Sequence, residues 1–402
     1  MENKSKQGML IKPGPVVGRT KIPGLCVDFN LGARVQVPEG KWRVRLIDRD
    51  TFMVLTNVEA ENQVVSCSFK YYINYRVEVY QDEKLAFALN YDDKKQRVLM
   101  KSVSDAIGDN IAWIPYAEEY RRKHDCEVWY SVAEPLRSLL APNYPEIHFV
   151  GQDEAPEGRY ATYYLGNFFP ADDRTRQPVD WRIVGLQRSA AYILGLEPRE
   201  IPAHIAPTDT KRRIRERYVC IAAQASSQAK YWNNPNGWYE TIKYLKSLGY
   251  RVLCIDKNRF YGQGFLHNGI PYGAEDFTGD LPLAERVNLL AQADFFIGLP
   301  SGLSWLAWAA GTPVVLISGF SLPIEEFSTP YRVINYRVCN GCWNDTSCEF
   351  VHDDFEWCPR HKGDIEKQFI CTRVVASQQV RAAIDRLMQD KGLTPPVQAG
   401  KR

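Results

Sequence analysis

The chain has almost no excess charge of either sign. Fifty Lys and Arg stand against 48 Asp and Glu over 402 residues, a formal net charge of +2. That balance argues against a protein whose main partner is bulk nucleic acid. The opening stretch, MENKSKQGMLIKPGP, has no continuous apolar run, so no secretory signal is expected. No apolar stretch of membrane length is unbroken either. The nearest, residues 293–320, carries Asp294 as its only charge, but Pro300, Gly302, Gly311 and Pro313 interrupt it. Those breaks fall where a strand, a helix and a second strand would turn, so a buried α/β unit is expected rather than a span. No G-x-G-x-x-G follows an apolar strand, which weakens a dinucleotide-binding reading. There is no fixed-period repeat, and the segments that carry the motifs below hold no Asp-x-Asp pair to suggest a divalent-metal clamp. A soluble, cytoplasmic protein with no membrane span and no nucleic-acid partner is the expectation.

Apolar residues make up 45% of the chain and charged residues 24%, enough for a substantial core. The patterning divides it. Residues 1–95 show short alternating runs separated by turn residues, the mark of an N-terminal antiparallel β domain. From residue 96 apolar strands alternate with helical segments, giving a first Rossmann-like domain over 96–205 and a second over 206–338. A cysteine-rich insertion follows at 339–372. An amphipathic helix and a tail close the chain at 373–402. The expected fold class is α/β, with two Rossmann-like domains of the GT-B type, an N-terminal antiparallel β domain and a cysteine-rich metal-binding insertion.

Three segments could carry chemistry. In Ser301-Gly302-Leu303-Ser304, followed by W-L-A-W-A-A-G-T-P-V-V, a strand ends, the chain turns and a small-residue helix begins. First-turn N–H groups lack intrahelical partners and favour an anion, so this turn could hold the diphosphate of a nucleotide sugar. Gly302 would permit close approach, and Ser301 or Ser304 would add a hydroxyl donor. An ordinary capped buried helix is the plainer alternative. The loop 224–238 (QASSQAKYWNNPNGW) follows the first strand of the second α/β domain, where ligands bind in such sheets. Lys230 could pair there with a phosphate that Trp232 packs against, or be a solvated loop lysine. Ile107-Gly108-Asp109 opens a helix after the first strand of the first α/β domain, towards the interdomain cleft. Asp109 there is either a helix cap or a general base for an acceptor hydroxyl.

Ten cysteines are present, and five of them, Cys339, Cys342, Cys348, Cys358 and Cys371, crowd into one short stretch. Such a local cluster in a long chain points to a metal site rather than disulfide stapling. Cys339, Cys342, Cys358 and Cys371 could form a four-thiolate tetrahedral site, and thiolates accept zinc and iron alike. Cys348 is an additional candidate.

Taken together and in order, the Ile107-Gly108-Asp109 turn, the lysine loop and the S-G-L-S…A-A-G-T-P-V-V block resemble the heptosyltransferases of glycosyltransferase family nine over about residues 97–320. The resemblance implies that Asp109 is the catalytic base and that Gly108, Lys230 and Ser301–Ser304 contact the donor. Pro300 stands where the family often has an aspartate, and Trp305 where many members have a histidine. With the β domain and the cysteine insertion included, most of the chain is similar to the bacterial autotransporter heptosyltransferases. That resemblance implies a structural ferric iron (Fe3+), one per chain, on Cys339, Cys342, Cys358 and Cys371. It also implies a dodecameric homo-oligomer, ADP-heptose as donor, and serine hydroxyls of an autotransporter passenger protein as acceptors. Zinc is the alternative metal. The alternative functions are a lipopolysaccharide-core heptosyltransferase, against which the β domain and the insertion argue, and a metal-bound non-catalytic scaffold with a transferase-like fold.

Overall fold

In the computed structural model, residues 13–264 and 266–396 are described. The opening stretch read above for a leader and the end of the expected tail lie largely outside the described residues. The first unit comprises residues up to Asp105 together with Trp113–Ile201. Its strands are β1 (Cys26–Asn30), β2 (Arg34–Gln36), β3 (Trp42–Asp48), β4 (Val54–Ala60), β5 (Val64–Ser66), β6 (Tyr75–Gln81), β7 (Lys84–Asn90), β8 (Arg97–Ser102), β9 (Glu127–Ser131), β10 (His148–Val150) and β11 (Ala161–Leu165). Helix α1 (Ile107–His124) follows β8, and α2 (Leu136–Leu140) and α3 (Trp181–Ile193) come later.

The first ninety-five residues feed two sheets. Strands β4-β3-β6-β7 form the expected antiparallel sheet. Strands β1, β2 and β5 instead extend the Rossmann-like sheet, in the order β10-β9-β8-β11-β1-β2-β5. The junction is β1, which runs parallel to β11 and pairs Phe29 with Ala161. A boundary at residue 95 therefore cuts through one hydrogen-bonded sheet. Four of the five residues of β1 are buried, so it shows none of the alternation that marks a half-exposed strand.

The second unit comprises Ala106–Ala112 and the chain from Pro202 onward. Its sheet is built from β12 (Tyr218–Ile221), β13 (Arg251–Cys254), β16 (Glu275–Asp276), β17 (Phe296–Gly298), β18 (Val314–Ile317) and β19 (Arg332–Val333), with the hairpin β14 (Phe260–Gln263) and β15 (Leu266–Gly269) placed apart. Its helices are α4 (Gly237–Ser247), α5 (Leu283–Ala291), α6 (Gly302–Ala309), α7 (Ile370–Arg373) and α8 (Ser377–Asp390). All strands of the main sheet are parallel, in the order β16-β13-β12-β17-β18-β19. That order reverses direction between β12 and β17, and ligands bind at such switch points, beyond the carboxyl ends of the strands. Val219, Ile221, Ile297, Val315 and Ile317 of the sheet pack with Val380, Ile384 and Leu387 of α8. The apolar stretch 293–320 resolves into β17, α6 and β18, and among the described residues no helix is long and apolar enough to cross a membrane.

Candidate functional site

The loops leaving β12 and β17 flank the switch point, and both sequence-predicted binding segments lie on them. After β17 the chain extends through Ser301 (φ −147°, ψ 168°), which occupies the N-cap position of α6. The Ser301 hydroxyl is buried and has no hydrogen-bond partner among the described residues. Ser304 differs. Its side chain is fully buried, its hydroxyl donates to the Leu299 carbonyl at 2.6 Å, and its N–H donates to the Ser301 carbonyl at 3.1 Å. Ser304 therefore does not supply the ligand-facing hydroxyl expected of it; it closes the turn. Ser301 and the first N–H groups of α6, those of Gly302 and Leu303, are the donors left for an anion.

Two glycines bring the start of α1 against this turn. A methyl on Gly302 would stand 2.9 Å from Cβ of Ile107, and one on Gly108 would stand 2.8 Å from Cδ1 of Trp305. Neither position has room for a side chain. Asp109, the next residue, is the third inside α1 and the acidic residue of its first turn, where a carboxylate also favours the positive end of the helix. Trp305 is itself fixed by an edge-on contact with Phe327, ring centroids 5.1 Å apart.

The lysine loop is held from both ends. At its start the buried Asp256 carboxylate, at the end of β13, accepts the N–H groups of Ala223 at 2.8 Å and Gln224 at 3.2 Å. Burial raises its pKa even so. Further along, Gln228 N–H and the Ser227 hydroxyl both donate to the Phe355 carbonyl at 2.9 and 3.1 Å. Asn233 Nδ2 donates to Thr372 Oγ1 at 2.9 Å. Trp232 is not available to a phosphate: it is buried, and its indole N–H donates to the Val375 carbonyl at 2.8 Å. The aromatic rings that meet Lys230 are others. Its Nζ lies 5.5 Å from the Phe320 ring centroid and 5.9 Å from that of Trp343, and 3.4 Å from the Ser226 hydroxyl.

Trp343 comes from the cysteine-rich stretch, directly after Cys342. Phe320, Trp357, Cys358 and Phe369 form a small core with Ala229, against which Cys342, Trp343, Cys348 and Phe350 pack. All ten cysteines are free thiols. Burial first, and then the neighbouring thiols of Cys339, Cys342 and Cys358, push the Cys371 thiol up to about 12. Burial also pushes Cys342 up to about 12, against the pull of the Arg360 guanidinium. The four predicted ligands thus stand within electrostatic reach of one another. Among the described residues, however, no three His, Cys, Asp or Glu side chains are gathered closely enough to hold an ion as they stand. The donor set, four sulfurs without a carboxylate, fits a thiophilic metal.

One group escaped the sequence reading. The Glu325 carboxyl is 7% exposed and accepts the Trp343 indole N–H at 2.7 Å and Asn344 Nδ2 at 2.9 Å. Burial pushes its pKa up to about 8, helped by Glu326 and, less, by Asp109, while the two hydrogen bonds pull it down. Nothing in its local sequence marks it, because both partners lie eighteen or more residues away.

Residues 23–83 match the family model for the N-terminal domain of the glycosyltransferase TibC. Residues 194–349 match that of glycosyltransferase family 9 (heptosyltransferase). The chain is 50% identical over 393 residues to the autotransporter heptosyltransferase BAHTCr of Citrobacter rodentium, covering 96% of this chain and 94% of the relative. It is 50% identical over 388 residues to the autotransporter heptosyltransferase TibC of Escherichia coli O78:H11, covering 95% and 94%. A crystal structure of TibC, described as a dodecameric iron-containing heptosyltransferase in complex with ADP-D-β-D-heptose, superposes with a TM-score of 0.91 at 49% identity, over 94% of this chain and all of that one. A relative from Burkholderia thailandensis, 40% identical over 90% of this chain and 85% of its own length, is named an inactive autotransporter heptosyltransferase, BimC.

Proposed function

The chain belongs to the autotransporter heptosyltransferases, with a glycosyltransferase family nine core, and we propose that it moves a heptose from ADP-heptose to serine hydroxyls of an autotransporter passenger. The observation that carries this reading is the pairing of two turns in one unit: Ile107-Gly108, directly before Asp109, seats against Gly302 and Trp305, beside a buried Ser301 hydroxyl with no partner among the described residues. Asp109 accepts the serine proton as the serine oxygen bonds to the anomeric carbon. The bond from that carbon to the diphosphate breaks, and ADP leaves. The Lys230 ammonium, the Ser301 hydroxyl and the N–H groups of Gly302 and Leu303 take up the charge that develops on the diphosphate. A β-linked donor gives inversion in a single displacement.

Cys339, Cys342, Cys358 and Cys371 would hold one ferric iron per chain. The influence of the Cys339, Cys342 and Cys358 thiols on that of Cys371 supports this set, and Cys342 and Cys358 share one small core. Bound there, the metal would cross-link the insertion and keep all four positions filled by protein, a structural role. Metal analysis of the purified protein distinguishes iron from zinc. A homododecamer in the cytoplasm completes the reading, and sedimentation of the purified protein tests its size.

The inactive relative makes a non-catalytic scaffold the reading to test against. The protein is incubated with ADP-heptose and a purified passenger fragment, and the fragment is read by intact mass. The expected result is a mass increment of one or more heptoses that Asp109→Ala abolishes with folding intact. Donor binding without any increment would leave the scaffold, and transfer to a lipid acceptor alone would indicate the lipopolysaccharide enzyme.

A further inference from the structure

Glu325 has no part in the reaction set out above, yet its surroundings are built around it. It lies between β18 and β19, next to Glu326, which is also buried and carries the Arg332 guanidinium at 2.7 Å. Among the described residues Glu325 has no such partner. Its two oxygens take one neutral donor each, the Trp343 indole and the Asn344 amide. The charged groups around it are Glu326 and Arg332 along its own stretch, Asp109 from α1, and Lys230 across the ring of Trp343. Asp345, one residue beyond Asn344, is already paired with Arg360. A buried carboxylate next to a second acid, with the Arg332 guanidinium committed to that neighbour, is costly, and such a group keeps its proton instead.

The same contacts tie Glu325 to both halves of the site. The Trp343 indole that donates to Glu325 also presents its face to Lys230. Two residues along, Phe327 packs on Trp305, and Trp305 abuts Gly108, the neighbour of Asp109. We propose that Glu325 is a positioning residue of the transfer site, a carboxyl that holds the Trp343 indole against the Lys230 ammonium without adding a negative charge to the site. The assignment rests on the reading of Asp109 as base and Lys230 as diphosphate ligand. Once Glu325 loses its proton, a negative charge appears across the Trp343 ring from Lys230 and competes for the ammonium with an anionic ligand, so donor binding weakens on the alkaline side.

The test is binding of ADP and kcat/KM for ADP-heptose from pH 6 to 9.5, on the full-length assembled protein. Wild type is compared with Glu325→Gln and Trp343→Phe. A loss of about tenfold in ADP affinity is expected for wild type between pH 7 and pH 9, the size of one added charge competing for the ammonium. Glu325→Gln cannot ionise, and its ADP affinity is expected to stay flat over that range. Trp343→Phe keeps the ring and the acid but removes a hydrogen bond that favours the charged form, so its alkaline loss moves to higher pH. Should Glu325→Gln fail to fold, the Trp343→Phe profile decides. An alkaline loss unchanged in either folded variant overturns the proposal. Asp109→Asn keeps the two ideas separable: full transfer by that variant removes the base assignment and leaves the ADP comparison standing.

Discussion

Ser301 and Ser304 lie one helical turn apart, and their hydroxyls have opposite surroundings. The first is buried without a partner among the described residues and the second donates to Leu299. Removing them should therefore fail in different ways. Ser301→Ala is expected to weaken ADP binding about tenfold, the loss of one hydrogen bond to a charged group, with little change in melting temperature. Ser304→Ala leaves the Leu299 carbonyl buried and unsatisfied, and should lower stability by about 1–3 kcal/mol. Calorimetry paired with ADP titration separates the two. Glu325 adds a pH dependence with a definite sign. Between its ordinary value of 4.5 and about 8 the native chain holds a proton that the unfolded chain has released. Stability should therefore fall as pH rises through that window, and part of the slope should vanish in Glu325→Gln. A slope of melting temperature against pH identical in both proteins would remove Glu325 as its source.

The meeting of α1 and α6 is decided by two residues without side chains. Gly108→Ala places a methyl 2.8 Å from the Trp305 indole, so either the indole or the helix start must move. The variant is expected to lose transfer by about a hundredfold, since displacement of a catalytic group by an ångström has effects of that order. A Gly108→Ala, Trp305→Phe double variant, with a smaller ring at the contact, should recover part of it. Both turns could be read in the sequence, because each is punctuated locally, by Ile107-Gly108-Asp109 and by Pro300-Ser301-Gly302. What could not be read is what each side chain meets. Trp232 looked like a phosphate partner by its place in the lysine loop, and is instead tied to Val375, 143 residues on. The aromatic surface at Lys230 comes from Phe320 and Trp343. The edge of the β domain was illegible for the same reason, since β1 finds its parallel neighbour β11 more than 130 residues later.

Across the second unit the cysteine-rich stretch does more than close a knot. Phe355 within it receives two hydrogen bonds from the lysine loop, Thr372 next to Cys371 receives another, and Trp343 next to Cys342 faces Lys230. The loop that carries Lys230 thus takes its shape from a segment that buries few large apolar side chains of its own, chiefly Phe355, Trp357 and Phe369. Such a segment needs cross-linking to stay ordered. Removing the iron proposed for this stretch, or replacing Cys358 with Ser, should therefore reach the proposed nucleotide site without touching a residue assigned to it. The expected outcome is a metal content well below one per chain, a lower melting temperature, and ADP affinity reduced about tenfold, the equivalent of about 1.4 kcal/mol. Tryptophan emission should shift as well, because Trp343 and Trp357 both pack in that small core. Metal-depleted protein that binds ADP with full affinity would mean that the lysine loop holds its shape through Asp256 and Trp232 alone.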